Sequence, residues 1–261
     1  MSFAKWIGGA LGWSFGGPIG AIIGLALGSF VDNLAGKGTP LLGERQTGGR
    51  QDPYSQRRSQ TRPQRSQTQS GDFEVSLLIL ASIVIKADGT QDQRELDFVR
   101  QQFTNMYGKD RANKAFELFK NITKQNISTR KVCTQIKQMM DHASRLQLLH
   151  FLFGIAKADG IVTEDELRQI YTITGYLGIS SRDYESIKAM FYNSSDNAYK
   201  ILEIDKAVPD SEVKKAYRTM AKKYHPDRVG HLGKEHQDGA EAKFRQVQEA
   251  YEHIQKERGF K

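Results

Sequence analysis

The stretch Ala221-Lys222-Lys223-Tyr224-His225-Pro226-Asp227-Arg228 decides how the C-terminal part of the chain folds. Pro226 has no N–H and disfavours helix at His225, so a helix arriving from upstream stops there. Over residues 210–224, Val213, Tyr217, Met220 and Tyr224 recur at spacings of three and four, which puts them on one helical face. Lys214, Lys215, Arg218, Lys222 and Lys223 cover the remainder with positive charge. Residues 240–254 repeat the pattern with Phe244, Val247, Tyr251 and Ile254. Two amphipathic helices joined by a short connection predict a helical hairpin. Gly230 and Gly233 are expected to keep that connection irregular.

The region 196–254 resembles a J-domain, the module of DnaJ-type (Hsp40) co-chaperones. The resemblance runs through Ala198-Tyr199-Lys200-Ile201-Leu202-Glu203-Ile204, Val213-Lys214-Lys215-Ala216-Tyr217-Arg218, Ala221 to Asp227, and Lys243-Phe244-Arg245-Gln246-Val247-Gln248-Glu249-Ala250-Tyr251. It implies that His225, Pro226 and Asp227, with the basic positions Lys214, Arg218, Lys222 and Lys223, dock on an Hsp70 and trigger its ATP hydrolysis. The residues agree physically. A positive helical face steers toward an acidic surface and sets orientation and association rate. Asp227, short and polar at a helix end, suits a bidentate contact with a partner arginine. No nucleophile accompanies His225, and the chain holds no nucleophile elbow, phosphate loop or metal-ligand cluster, so the chain is not expected to be an enzyme.

The chain has 261 residues, a formal charge of +8 and a pI near 9.4. That balance suits acidic proteins, anionic lipid or nucleic acid without choosing among them. The single cysteine, Cys133, excludes an intramolecular disulfide and the Cys-rich repeats of larger DnaJ proteins.

Residues 7–31 form a 25-residue run without a charged side chain, bounded by Lys5 and Asp32. That length spans a bilayer as a helix. Gly8, Gly12, Gly16, Gly20, Gly24 and Gly28 recur every fourth residue and form one ridge on that helix. Such a ridge allows close helix–helix contact in a membrane, whereas in water each glycine costs about 1 kcal/mol of helix stability relative to alanine. A transmembrane helix that also oligomerises is therefore expected ahead of a cleaved signal peptide or a peripheral oligomerisation segment, and the ridge permits dimers and larger rings alike. One basic residue, Lys5, precedes the run, and Lys37, Arg45, Arg50, Arg57, Arg58, Arg62 and Arg65 follow it. Excess positive charge marks the cytoplasmic side. The expectation is a single-pass protein with a short periplasmic N-terminus and the bulk of the chain in the cytoplasm.

Residues 36–71 are rich in Gln, Arg, Ser, Thr and Gly and are expected to be a disordered tether. Their arginines suit anionic head groups, at about 1 kcal/mol per charge close to the surface. Tyr54 is the lone aromatic there, which makes nucleic acid a poor partner for the tract.

Residues 73–192 read as all-helical. Leu77, Leu78, Leu80, Ala81, Val84 and Ile85 are too densely apolar for a surface helix. Ile85-Lys86-Ala87-Asp88-Gly89 recurs as Ala156-Lys157-Ala158-Asp159-Gly160, and Glu95-Leu96 recurs as Glu166-Leu167 at the same offset. Each copy predicts helix, left-handed glycine turn, capping box, helix. With both copies in view the region resembles the TerB-like tellurite-resistance domain. That resemblance implies a divalent-cation site, with Asp88, Asp92 and Glu95, then Asp159, Glu164 and Glu166, as candidates. Hard oxygen ligands suit Ca²⁺ or Mg²⁺. Neither loop has EF-hand spacing, and a structural turn is the preferred reading, with no cofactor required. His142 and His150 are expected to be ordinary core or surface histidines.

The expected organisation is all-α. Residues 1–35 form a glycine-rich transmembrane helix, 36–71 a linker, 72–193 a TerB-like bundle and 194–261 a J-domain. This order resembles the DjlA type of membrane-anchored DnaJ-like proteins. The resemblance implies a bacterial inner-membrane anchor, a homodimer through the membrane helix, and regulatory co-chaperone action on an Hsp70, DnaK. The alternative is an envelope-stress or metal-responsive sensor working through the middle domain.

Overall fold

The computed structural model describes residues 19–22, 70–87, 89, 93–158, 160, 162–192, 197–232 and 234–260. Among them every regular element is helical. The helices are α1 (Ser70–Ile85), α2 (Gln93–Tyr107), α3 (Lys109–Ile122), α4 (Thr129–Met139), α5 (His142–Ala156), α6 (Glu164–Leu177), α7 (Ser181–Ala189), α8 (Asn197–Ile201), α9 (Asp210–Lys223) and α10 (Lys234–Arg258). A 3₁₀ helix, Pro226–Leu232, joins α9 to α10.

Two helices that are apolar on all sides form the centre of the bundle. In α1 every side chain from Phe73 to Ser82 is buried, and α5 is buried from Leu146 to Leu149 and from Leu152 to Ala156. A helix hydrophobic all round has to be enclosed by others. Here α1 lies against α5, α3 and α6, while α2 lies against α3 and α5. The outer helices are amphipathic: α4 buries Val132, Cys133 and Ile136 and exposes its lysines. Burial pushes the Cys133 thiol up to about 12, so it stays protonated and unreactive.

The repeated turns take the expected shape. Gly89 and Gly160 sit at φ +79° and +92°, and their N–H groups donate to Lys86 and Lys157 carbonyls at 3.2 and 3.0 Å. Only glycine occupies that backbone region at no steric cost. At the second copy Thr163 caps α6 with Glu166 in a reciprocal box. Gly178, at φ +66°, ends α6, and Ser180 opens α7 in a second box with Asp183. This tight succession fixes Asp183 at the start of α7, facing the C-terminal part of the chain.

That part is the expected hairpin with an added short helix. Val213 and Met220 of α9 and Val247 and Ile254 of α10 are buried between the helices. Tyr217 stacks on Tyr251 with ring centroids 4.3 Å apart. Arg258, near the end of α10, donates to the Lys206 and Val208 carbonyls at 2.6 and 2.7 Å and to Asp210 at 3.1 Å, fastening α10 to the start of α9. Two details differ from the sequence reading. α10 starts at Lys234, ahead of the apolar pattern at 240. Its buried stripe is Ala240, Lys243, Val247, Ala250 and Ile254, with Lys243 where an apolar residue would be expected and Phe244 only partly covered. The reason is a second neighbour: α10 also lies against α2 of the bundle, so one side chain turns away from the hairpin.

Of the glycine ridge, Gly20 lies in a helical turn at 19–22; Gly8, Gly12, Gly16, Gly24 and Gly28 lie outside the described residues, as does most of the 36–71 tether. Ile19 and Ile22 of that turn are buried, with the Ile19 N–H donating to Gln135 Oε1 at 2.8 Å. No helix among the described residues is long and apolar enough to cross a membrane.

Candidate functional site

The helix α9 ends where Pro226 requires it to. Tyr224 leaves helical geometry at φ −101°, ψ 15°, while its N–H still donates to the Met220 carbonyl. The next residues form a tight exposed corner. Arg228 N–H donates to the His225 carbonyl at 3.0 Å, and Asp227 N–H donates to His225 Nδ1 at 3.3 Å. A nitrogen that accepts carries no proton, so the neutral imidazole presents its N–H from Nε2. The ring meets Phe244 edge-on at 5.8 Å. His225 is 50% exposed and Asp227 86% exposed, so the carboxyl faces solvent, with its Oδ2 3.6 Å from His225 Nδ1.

Positions 214, 218 and 222 are one line along α9, at i, i+4 and i+8. Arg218 and Lys222 are exposed, and Lys214 lies with its ammonium 5.5 Å from the Phe260 ring. The structure therefore brings His225, Pro226 and Asp227 to the end of a positive row. Lys223 is turned about 100° away by the helical period. It is 20% exposed and pairs with Asp183 of α7 and with Glu203 at 2.5 Å.

Several polar residues around this site carried no recognisable signal in the sequence. Burial alone would raise the Asp183 carboxyl, but hydrogen bonds from His142, Lys223 and Ser180 and the charge of Lys223 outweigh it and hold the group well below the usual carboxylate range. His231 Nε2 lies 3.1 Å from Asp141 Oδ2 and 3.3 Å from Ser144 Oγ. Gln147, in the middle of an apolar run, accepts from the ammonium of Lys243. A lone amide in such a run is the kind of signal that could have marked this position.

Lys243 is 2% exposed, and burial pulls its pKa down to about 7. His150 beside it is pushed down by burial and by the charge of Lys243, so it stays neutral. A base whose folded pKa is depressed binds its proton more readily in the unfolded chain. Stability should then rise with pH from about 7 to about 10, by on the order of a few kcal/mol in total. Urea unfolding at pH 7 and 9.5 checks this: the rise should be present in the natural chain and largely lost in Lys243→Met. An unchanged slope in the variant would assign the pH dependence to another group.

The cation candidates are only partly visible. Asp88, Asp92 and Asp159 lie outside the described residues. Glu95 is buried, and Glu164 is exposed at the start of α6. Glu166 spends its Oε2 on the Thr163 N–H and hydroxyl at 2.7 and 2.8 Å, as the capping partner. Among the described residues no three His, Cys, Asp or Glu side chains converge as a metal site.

A helical hairpin closed by an exposed His-Pro-Asp corner beneath a basic helix defines a J-domain protein. The comparisons with known proteins extend this along the chain. The DnaJ domain matches residues 197–259, the tellurite resistance protein TerB matches 74–189, and the co-chaperone DjlA transmembrane domain matches 1–53. A "Co-chaperone protein DjlA" of Coxiella burnetii is 28% identical over 277 residues, covering 97% of each chain. One from Haemophilus influenzae is 26% identical over 306 residues, covering 98% of each. The "Chaperone protein DnaJ" of Erysipelothrix rhusiopathiae is 61% identical over 54 residues, which is 21% of this chain and 13% of that protein. No solved structure matches. In the order of these three domains, the chain is similar to the DjlA-type membrane-anchored DnaJ-like co-chaperones.

Proposed function

We propose that the protein stimulates ATP hydrolysis by an Hsp70, DnaK in a bacterial cell, through His225, Pro226 and Asp227 guided by Lys214, Arg218 and Lys222. The observation that carries this reading is the 86% exposed Asp227 carboxylate at the end of the α9 positive row. Exposed charge at the rim of a docking surface acts on association rate and orientation, so stimulation should weaken with salt. The protein supplies no chemistry of its own to the nucleotide; its role is to present this corner to the enzyme.

The remaining parts fit a membrane-tethered regulator divided as 1–35, 36–71, 72–193 and 194–261. The apolar run 7–31 would cross the inner membrane once, with its N-terminus periplasmic and the bundle and J-domain cytoplasmic, as the basic flank argues. Its glycine ridge would pair two copies. Tethering raises the local concentration of J-domain near membrane clients without any new contact.

The test is the full chain in lipid vesicles added to ATP-loaded DnaK. Hydrolysis should rise several-fold above the basal rate and fall back as salt is raised to about 0.5 M, where the screening length is a few ångströms. No rise at any salt would sink this reading.

A further inference from the structure

The bundle and the J-domain meet along a face built from paired polar groups, and that face is the edge of the His-Pro-Asp corner. Lys223 is held by Asp183 from α7, and His231 by Asp141 and Ser144 at the start of α5. Lys243 is held by Gln147 in α5. Gln246 donates to the Met190 carbonyl at 3.2 Å, and Ser186 to the Ile201 carbonyl at 2.8 Å.

Gly239 of α10 also lies close against the Gln147 side chain. A Cβ on Gly239 of α10 would lie 2.6 Å from Gln147 Nε2, a separation that side chains do not tolerate without moving. Glycine in the middle of a helix is costly by itself, at about 1 kcal/mol relative to alanine. This one earns its place at the contact with α5. The narrow cleft beside it is walled by Ala143 and Leu146 of α5 on one side and by His225 and Arg228 on the other. A partner that grips the corner therefore meets the bundle as well.

We propose that the TerB-like bundle restrains its own J-domain, competing with Hsp70 for the positive edge beside the His-Pro-Asp corner. Docking adds Asp183 to Glu203 as a partner of Lys223 and buries Lys243, so the docked J-domain offers an acidic partner less positive charge than the free one. Release leaves Lys223 with Glu203 alone, uncovers Lys243 and clears the α5 wall from His225. The corner stays exposed throughout, so the restraint acts on affinity and association rate, not on the maximal rate of hydrolysis. This inference rests on the Hsp70 reading above and concerns the regulation of the same site.

Two substitutions in the full chain release the contact from opposite sides. Gly239→Gln places a polar helix former where it collides with Gln147. Asp183→Asn keeps an oxygen for the Ser180 capping interaction and removes the charge that holds Lys223. With DnaK ATP hydrolysis as readout, both should lower the concentration for half-maximal stimulation by roughly three- to tenfold at low salt, at the low end of what charge complementarity contributes to association. The maximal rate should not change, and the gain should shrink at high salt. Amide hydrogen exchange over residues 142–156 should rise in both, reporting undocking independently of DnaK. Faster exchange with an unchanged or higher half-maximal concentration would overturn the restraint, as would unchanged exchange in both variants. The natural chain separates this from failure of the Hsp70 reading: absence of stimulation by the natural chain removes that reading and the restraint with it, whereas equal stimulation by all three chains removes the restraint alone.

Discussion

Replacing His225 with glutamine should abolish stimulation of DnaK while leaving the protein folded. The side chain is half exposed, and its structural ties are one 3.3 Å bond from the Asp227 N–H and an edge contact with Phe244. Losing those belongs with exposed substitutions, which shift stability by about 0.5 kcal/mol or less. Glutamine still offers a carbonyl to the Asp227 N–H, but it has no ring and cannot present an aromatic N–H from the same place. The corner would keep its path and lose its recognition group. ATP hydrolysis at saturating co-chaperone should drop to the basal rate, and the urea midpoint should stay put. A variant that stimulates as well as the natural chain would show that the corner is not the contact.

The largest loss of stability should come from Phe153→Ala in α5. Phe153 is 0% exposed, with its ring 5.4 Å from Tyr184 and 5.8 Å from Phe191 by centroids. Truncating a buried phenylalanine removes its transfer energy and leaves a cavity, together about 3–5 kcal/mol. Tyr184 follows Asp183 directly in α7, so the cavity opens under the residue that holds Lys223. The expected signature is a lower urea midpoint accompanied by faster hydrogen exchange over 181–189. A change below about 1 kcal/mol would mean that the site collapses around the alanine.

The parts of this architecture that a single segment determines were legible in the sequence. α1 announces itself by its dense apolar side chains, and α9 by its amphipathic period and the stop at Pro226. Thr163 and Glu166 showed the capping box by spacing alone. Lys243 and Lys223 were harder, because their environments come from residues far away in the chain. A period of three and four locates the face of a helix to within a residue; it took α5 and α2 packed on the second side of α10 to bury Lys243 in place of Phe244. Lys223 looked like its neighbour Lys222, and the difference is Asp183, forty positions earlier, together with Glu203. The start of α10 was missed because Lys234 to Gly239 carry no apolar pattern: that turn makes its contact with the bundle through the absence of a side chain.

The helix α1 gives the protein a mechanical character. Residues 1–53, which match the co-chaperone DjlA transmembrane domain, precede a helix whose side chains from Phe73 to Ser82 are all buried in the bundle. Tension on the anchor would reach the bundle first through that helix. It would act as shear distributed over many packed side chains, and not as a peeling force on one surface helix at a time. A pull that strips an outer helix breaks contacts one by one; a pull on this one must slide the whole helix past α5 together.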